Sequence, residues 1–199
     1  PAPVDAGPQL ASRCQPGEEW LADSPAFTNQ TESWGLTALA VRGTRMTVLD
    51  YNHDGWPDLL VRRGAGPDTF EPGGERQRWL LKNTGTGSFV DVTEASGLFT
   101  DRAGVEGALR GDVVVAGDVN NDGLTDVFIA AASDDGSVAS ELRLGTAEGG
   151  FRFAAETSDA RRAGVTSVPS GLSLTDVDRD GYIDLWMTQN KTGTQASPM

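Results

Sequence analysis

Short apolar or β-branched runs recur along the chain, each bounded by Asp or Gly, and none continues into the 3.6-residue spacing of an amphipathic helix. Three of them, Met46-Thr-Val-Leu49, Val113-Val-Val-Ala116 and Leu172-Ser-Leu-Thr175, run up to an acidic segment; Leu59-Leu-Val61, Val127-Phe-Ile-Ala130 and Leu185-Trp-Met187 leave it on the far side. Runs of this length and composition between turn residues read as buried strands, so each acidic segment is expected to be the loop of a hairpin. Further strands are expected at Arg78-Trp-Leu-Leu-Lys-Asn83, which leads through Thr84-Gly-Thr-Gly-Ser88 into Phe89-Val-Asp-Val-Thr93. The same pattern appears at Glu141-Leu-Arg-Leu144, which leads through Gly149-Gly150 into Phe151-Arg-Phe153.

The acidic segments are copies of one phrase. Asp50-Tyr-Asn-His-Asp-Gly-Trp-Pro-Asp58, Asp118-Val-Asn-Asn-Asp-Gly-Leu-Thr-Asp126 and Asp176-Val-Asp-Arg-Asp-Gly-Tyr-Ile-Asp184 each spell D-x-[ND]-x-D-G-x-x-D. A second phrase keeps step with it. Phe27-Thr-Asn-Gln-Thr-Glu-Ser-Trp-Gly-Leu36 resembles Phe89-Val-Asp-Val-Thr-Glu-Ala-Ser-Gly-Leu98, and a diverged copy begins at Phe151. The Phe positions are 62 and 62 residues apart and the first Asp positions 68 and 58, so the period is close to sixty. A period of that size holding four strands is the signature of a propeller blade. The fold expected is therefore all-β, built of four-stranded antiparallel blades with units at 27–93, 94–157 and 158–199, after an irregular extension at 1–26. About two and a half to three blades are too few to close a ring of four to eight. The expectation is a segment of a longer propeller, or a subunit completed by other blades.

Composition sharpens this picture. Of 199 residues, 29 are Asp or Glu and 16 Lys or Arg, a formal charge of −13, which argues against gripping nucleic acid through a basic face. Apolar stretches of five or six residues fall far short of the roughly 20 a membrane span needs. The start Pro1-Ala-Pro-Val-Asp5 has neither the basic opening nor the apolar core of a signal peptide. Cys14 is the one cysteine and His53 the one histidine, so an internal disulfide and a Cys- or His-rich zinc site are excluded.

The acidic phrase has a chemical reading. Positions 1, 3, 5 and 9 offer side-chain oxygens, position 7 a backbone carbonyl, and Gly at 6 the sharp turn that wraps them around one hard cation. Oxygen-only ligation selects Ca²⁺ over zinc or copper, and its ligand number favours Ca²⁺ over octahedral Mg²⁺. Without a cation, three or four carboxylates within nine residues repel one another. An EF-hand is ruled out, because position 12 is Val61, Ile129 or Met187 in an apolar strand rather than a bidentate Glu between helices. Thrombospondin-type repeats, which need an Asp there, fail in the same way.

On these phrases the chain resembles the FG-GAP or VCBS-like repeats of calcium-binding β-propellers, as in integrin α-subunit heads and secreted bacterial proteins. Asn83-Thr-Gly-Thr-Gly-Ser-Phe89 and the Gly-Leu phrase after it are most similar to the branch holding cartilage acidic protein and UnbV-type proteins. The resemblance covers roughly residues 27–188 and implies three Ca²⁺ ions. In the first loop the implied ligands are Asp50, Asn52, Asp54, the carbonyl of Trp56, and Asp58. In the second they are Asp118, Asn120, Asp122, the carbonyl of Leu124, and Asp126, and in the third Asp176, Asp178, Asp180, the carbonyl of Tyr182, and Asp184. Ten of the 29 acidic residues are then ligands, and three divalent ions would take the formal charge from −13 to −7. The third loop, with one more carboxylate, is expected to bind most tightly.

The resemblance implies a secreted, extracellular or periplasmic protein in which calcium is structural and a protein or glycan partner is bound without catalysis. The alternatives are the propeller of a secreted polysaccharide lyase or hydrolase and an accessory subunit of a larger extracellular assembly. His53, at position 4, is expected to be a solvated loop residue pointing away from the metal rather than a general base. Arg110-Gly-Asp112 spells an adhesion tripeptide but abuts a strand, where it could not protrude. Asn29-Gln-Thr31 and Asn190-Lys-Thr192 fit glycosylation sequons, which matter only in a eukaryotic secretory context. Among Trp20, Trp34, Trp56, Trp79 and Trp186, Trp79 and Trp186 are expected in the core and Trp56 partly exposed.

Overall fold

A computed structural model describes residues 25, 27–63, 75–109, 111, 113–131, 139–157, 161–162 and 169–189. Cys14, Trp20 and all of the 1–26 extension but residue 25, Arg110 and Asp112 of the tripeptide, and the sequon at Asn190 lie outside the described residues. No helix occurs among those described, and all sheets are antiparallel. The first sheet runs β1 (Arg45–Leu49), β2 (Asp58–Arg62), β3 (Arg78–Asn83) and β4 (Phe89–Asp91), in that spatial order. The second repeats it with β5 (Val113–Gly117), β6 (Asp126–Ala130), β7 (Ser140–Gly145) and β8 (Phe151–Phe153), and short β9 (Arg161–Arg162) adds to β7. The third is the pair β10 (Pro169–Thr175) and β11 (Asp184–Gln189). A meander of four strands with no crossover is the blade of a propeller, here two whole and one partial.

The registers repeat as well. Leu49 pairs with Asp58, Gly117 with Asp126 and Thr175 with Asp184, so every acidic loop closes the same inner hairpin. Asn83 faces Phe89 as Gly145 faces Phe151, which fixes the diverged third phrase in the register of the second.

Because side chains alternate along a strand, each sheet offers one face to the blade before it and one to the blade after. Leu49, Leu60 and Leu80 of the first sheet pack with Val127 and Ile129 of the second, with Val114 and Ala116 half-buried against them. Fully burying a side chain of this size contributes about 1.5–3 kcal/mol, so this shared layer is the main bond between the two blades. Residues at the same place in successive blades show where the layering stops: Leu60 is 1% exposed and Phe128 3%, but Trp186 is 55%. Trp186 therefore corrects the expectation of a core residue, since its strand pairs only with β10 and nothing described covers that face. Trp79 is buried as expected, and Trp56 is 37% exposed.

The Phe-to-Gly-Leu phrase also departs from expectation at its first copy. Phe27 is 93% exposed and lies in no strand, and residues 31–40 are turns. That segment instead lays Leu36, Leu39 and Val41 over Val61, Trp79 and Leu81 and sets Trp34 against Phe89, the two rings tilted by 38°. What the phrase conserves is a tie between blades. The carbonyl of Trp34 accepts the N–H of Phe89 at 3.3 Å, and the carbonyl of Ser96, in the same place one period later, accepts that of Phe151 at 3.1 Å. The next residue, Gly35 or Gly97, sits at φ +76° or +66°, the left-handed region that only glycine enters freely.

Candidate metal centres

The three acidic loops share one backbone scaffold. Position 4 is left-handed in each (His53 φ +58°, Asn121 +59°, Arg179 +63°), as is the Gly at position 6 (+79°, +83°, +92°). These turns bring the chain back around its own carboxylates. The position-1 carboxylate accepts the N–H of that Gly: Asp50 from Gly55 at 2.9 Å, Asp118 from Gly123 at 2.9 Å, Asp176 from Gly181 at 3.1 Å. The position-5 carboxylate accepts the N–H of position 7: Asp54 from Trp56 at 2.9 Å, Asp122 from Leu124 at 2.8 Å, Asp180 from Tyr182 at 2.9 Å. The position-9 carboxylate accepts the N–H of position 2: Asp58 from Tyr51 at 3.0 Å, Asp126 from Val119 at 3.0 Å, Asp184 from Val177 at 2.9 Å. All fifteen residues expected as ligands thus lie on one repeated fold of nine residues.

The fit to a hard cation rests on the oxygens these bonds leave over. In the first loop Asp50 Oδ1 and Asn52 Oδ1, at positions 1 and 3, are buried and have no hydrogen-bond partner. An acceptor buried without a partner costs about 1–3 kcal/mol, and a bound cation would remove that cost. In the other loops the same two oxygens take the N–H of position 5, Asp122 at 3.1 and 3.0 Å and Asp180 at 3.2 and 3.1 Å. In the third loop, oxygens of Asp176, Asp178 and Asp184 lie within 4.8 Å of one another. The donor set is entirely oxygen, the chemistry of Ca²⁺ rather than of softer metals.

Position 9 has a second task that the sequence did not announce. Asp58 Oδ1 accepts the N–H of Asn83 at 2.7 Å, and Asp126 Oδ1 that of Gly145 at 2.9 Å, so the loop's last carboxylate is bonded to the end of the third strand. Both are almost fully buried, at 0% and 1% exposure. Burial pushes the Asp58 carboxyl up to about 6; the N–H groups of Asn83 and Tyr51 pull against this, while the charges of Asp54 and Asp50 add to it. Asp126 is raised for the same reasons, with Asp122 and Asp118 as its repelling neighbours. Asp54 moves the other way: burial raises it, but bonds from Asn52, Trp56 and Lys82 outweigh that and hold it below the usual carboxylate range.

Lys82 is a participant that sequence reasoning missed. Its Nζ lies 3.3 Å from Asp54 Oδ2 and supplies a fixed positive charge at the rim of the first loop. Its signal was legible only as one of two lysines in the chain, placed one residue before the strand end that bonds Asp58. His53 is exposed in its loop, as expected, and it also makes a contact that the sequence did not indicate: its Nε2 accepts the N–H of Thr125, at position 8 of the second loop, at 2.8 Å.

A family model described as an FG-GAP-like repeat matches residues 118–187. That span takes in the second and third loops and the strands between them, so this part of the chain is similar to an FG-GAP-like repeat, a likeness that agrees with the propeller-type sheets. No solved structure matches the chain.

Proposed function

We propose that this chain is a calcium-stabilised segment of a non-enzymatic β-propeller that works outside the cytoplasm as a platform for a protein or glycan partner. The observation that carries the reading is the first loop, where two buried oxygens at ligand positions have no partner within a scaffold repeated at all three sites. Calcium gathers ligands that only the folded hairpin brings together, so it stabilises by mass action, about 2.7 kcal/mol per site at one hundred times the dissociation constant. Extracellular modules of this kind bind at roughly 10⁻⁴ to 10⁻³ M, a range that suits calcium-rich fluid outside the cell. Position 7 supports the platform: it sets Trp56, 37% exposed, and Tyr182, 62% exposed, beside two of the cation loops. Aromatic faces next to calcium are suited to binding a sugar ring or a protein surface.

The deciding experiment is calorimetric titration of the chelator-stripped protein with Ca²⁺ and with Mg²⁺, alongside thermal melts. The expected result is up to three Ca²⁺ bound, a rise in melting temperature, and a much weaker response to Mg²⁺. A melting temperature that ignores Ca²⁺ would overturn the reading. For the partner, loss of saccharide or protein binding in Trp56→Ala without loss of Ca²⁺ binding would locate the platform.

A further inference from the structure

The three loops are not independent of one another. Thr125 lies between Leu124 and Asp126, two expected ligands of the second loop, and both its N–H and its hydroxyl are held by the first. Its N–H donates to His53 Nε2 at 2.8 Å, and its Oγ1 donates to the carbonyl of Asp50 at 2.8 Å. Asp50 and His53 are in turn part of the first loop's wrap, His53 standing between the ligands Asn52 and Asp54. The first loop is also braced from the side by the β7–β8 turn, where a Cβ on left-handed Gly149 would stand 3.0 Å from Asn52 Cβ. One period later the contact recurs in weaker form. Asn121, again left-handed and again at position 4, donates from Nδ2 to the carbonyl of Gly181 in the third loop at 3.1 Å, in an exposed bond.

We infer that the residue at position 4 of the first and second loops, His53 and Asn121, is a coupling residue, clamping the following loop so that cation binding at successive sites is linked, most strongly between the first and second. The inference rests on the calcium reading above. Its physical basis is that filling the first loop fixes Asp50 and His53, which fixes the Thr125 backbone from which the Leu124 carbonyl and Asp126 carboxylate project. Linkage is reciprocal, so filling the second loop strengthens the first by the same factor. His53 can serve only with its proton on Nδ1, leaving Nε2 as acceptor. A side chain is needed at a left-handed position, which accounts for Asn in the corresponding place of the second loop.

The test follows each site by the amide of its position-6 glycine, Gly55, Gly123 and Gly181, in NMR titrations of the chain with Ca²⁺ alone. Weakening the second loop with Asp118→Asn is expected to weaken Ca²⁺ binding at Gly55 by about fivefold or more, the lower range of ordinary coupling. In a His53→Gly background, which keeps the left-handed backbone unstrained but leaves the Thr125 hydroxyl on the Asp50 carbonyl, the effect of Asp118→Asn at Gly55 is expected to fall to about twofold or less. His53→Gln, whose Oε1 reaches the place of Nε2, restores the acceptor and is expected to restore the link, a recovery that a merely structural role for His53 would not produce. Coupling that survives His53→Gly undiminished, or a Gly55 affinity indifferent to Asp118→Asn in the otherwise unaltered chain, overturns the inference while leaving calcium binding intact. If none of the three glycines responds to Ca²⁺, the calcium reading itself falls and the inference with it.

Discussion

Asp58 separates the two roles that position 9 combines. Its carboxylate is fully buried and accepts the N–H groups of Tyr51 at 3.0 Å and Asn83 at 2.7 Å. Truncation in Asp58→Ala strands two buried donors at about 1–3 kcal/mol each, so a loss of about 4 kcal/mol is expected with or without calcium. Asp58→Asn behaves differently. With the native carboxyl at about 6 rather than the ordinary 3.8, its charge at neutral pH costs on the order of 3 kcal/mol, which the neutral amide removes. Against that gain, the amide turns an NH₂ toward one of the two donors and loses about 1–3 kcal/mol. In chelator Asp58→Asn is therefore expected to match the native chain to within about 1–2 kcal/mol. In Ca²⁺ at about one hundred times the dissociation constant the native chain is expected to gain about 2.7 kcal/mol at this site and the variant little, so the order should separate. The assay is urea unfolding followed by the fluorescence of buried Trp79, at fixed ionic strength, in chelator and in Ca²⁺. If Asp58→Asn loses as much in chelator as in Ca²⁺, the carboxylate is a structural bracket alone and the reasoning about a cation fails.

Other expectations follow from the same geometry. Asp58 and Asp126 have folded pKa values above their unfolded ones, so their contribution to stability is present below about pH 4 and lost as pH rises through the folded values, about 6 for Asp58; metal-free melts should show that decline, and Ca²⁺ should suppress it. Asp91, lowered because bonds from Arg76 and Thr93 outweigh its burial, works in the opposite sense, its contribution being lost as pH falls below about 4, so Arg76→Ala should flatten the acid limb of the same melts. Leu80→Ala, at a side chain with no exposure between the two blades, should cost about 2–5 kcal/mol by urea unfolding, whereas Val90→Ala, half exposed, should cost less than about 1. Gly85→Ala puts a Cβ at φ +73° into the indole of Trp56 and should lower the melting temperature and expose that indole, read as a shift in its emission.

Much of the blade was legible because its signals are local. Alternation within Val127-Phe-Ile-Ala130 and its neighbours, punctuated by Gly and Asp, marks strands without reference to anything distant. The D-x-[ND]-x-D-G-x-x-D spacing likewise fixes which oxygens can converge, because the wrap is made by the left-handed turns at positions 4 and 6 and by bonds no more than seven residues long. Where the sequence misled, the deciding contact was remote. Trp186 reads like Phe128 along the strand, and only the absence of a described sheet over its face leaves it exposed. Phe27 reads like Phe89, yet it begins a turn that covers the first sheet's outer layer.

The chain's own residues therefore determined the all-β period near sixty, the inner hairpins and the oxygen-rich loops, since each depends on groups within a few residues of one another. Tertiary structure decided what those loops are attached to. Asp58 meets Asn83 across 25 residues, Lys82 reaches Asp54 from the third strand, and His53 reaches Thr125 across 72. Those distances in sequence carry no periodic signal: the first two pairs form when β2 and β3 come together in one sheet, and the third only when the sheets stack. Burial between stacked sheets then raises the carboxyls of Asp58 and Asp126 and turns an acidic phrase into a group of charges that a divalent cation would neutralise.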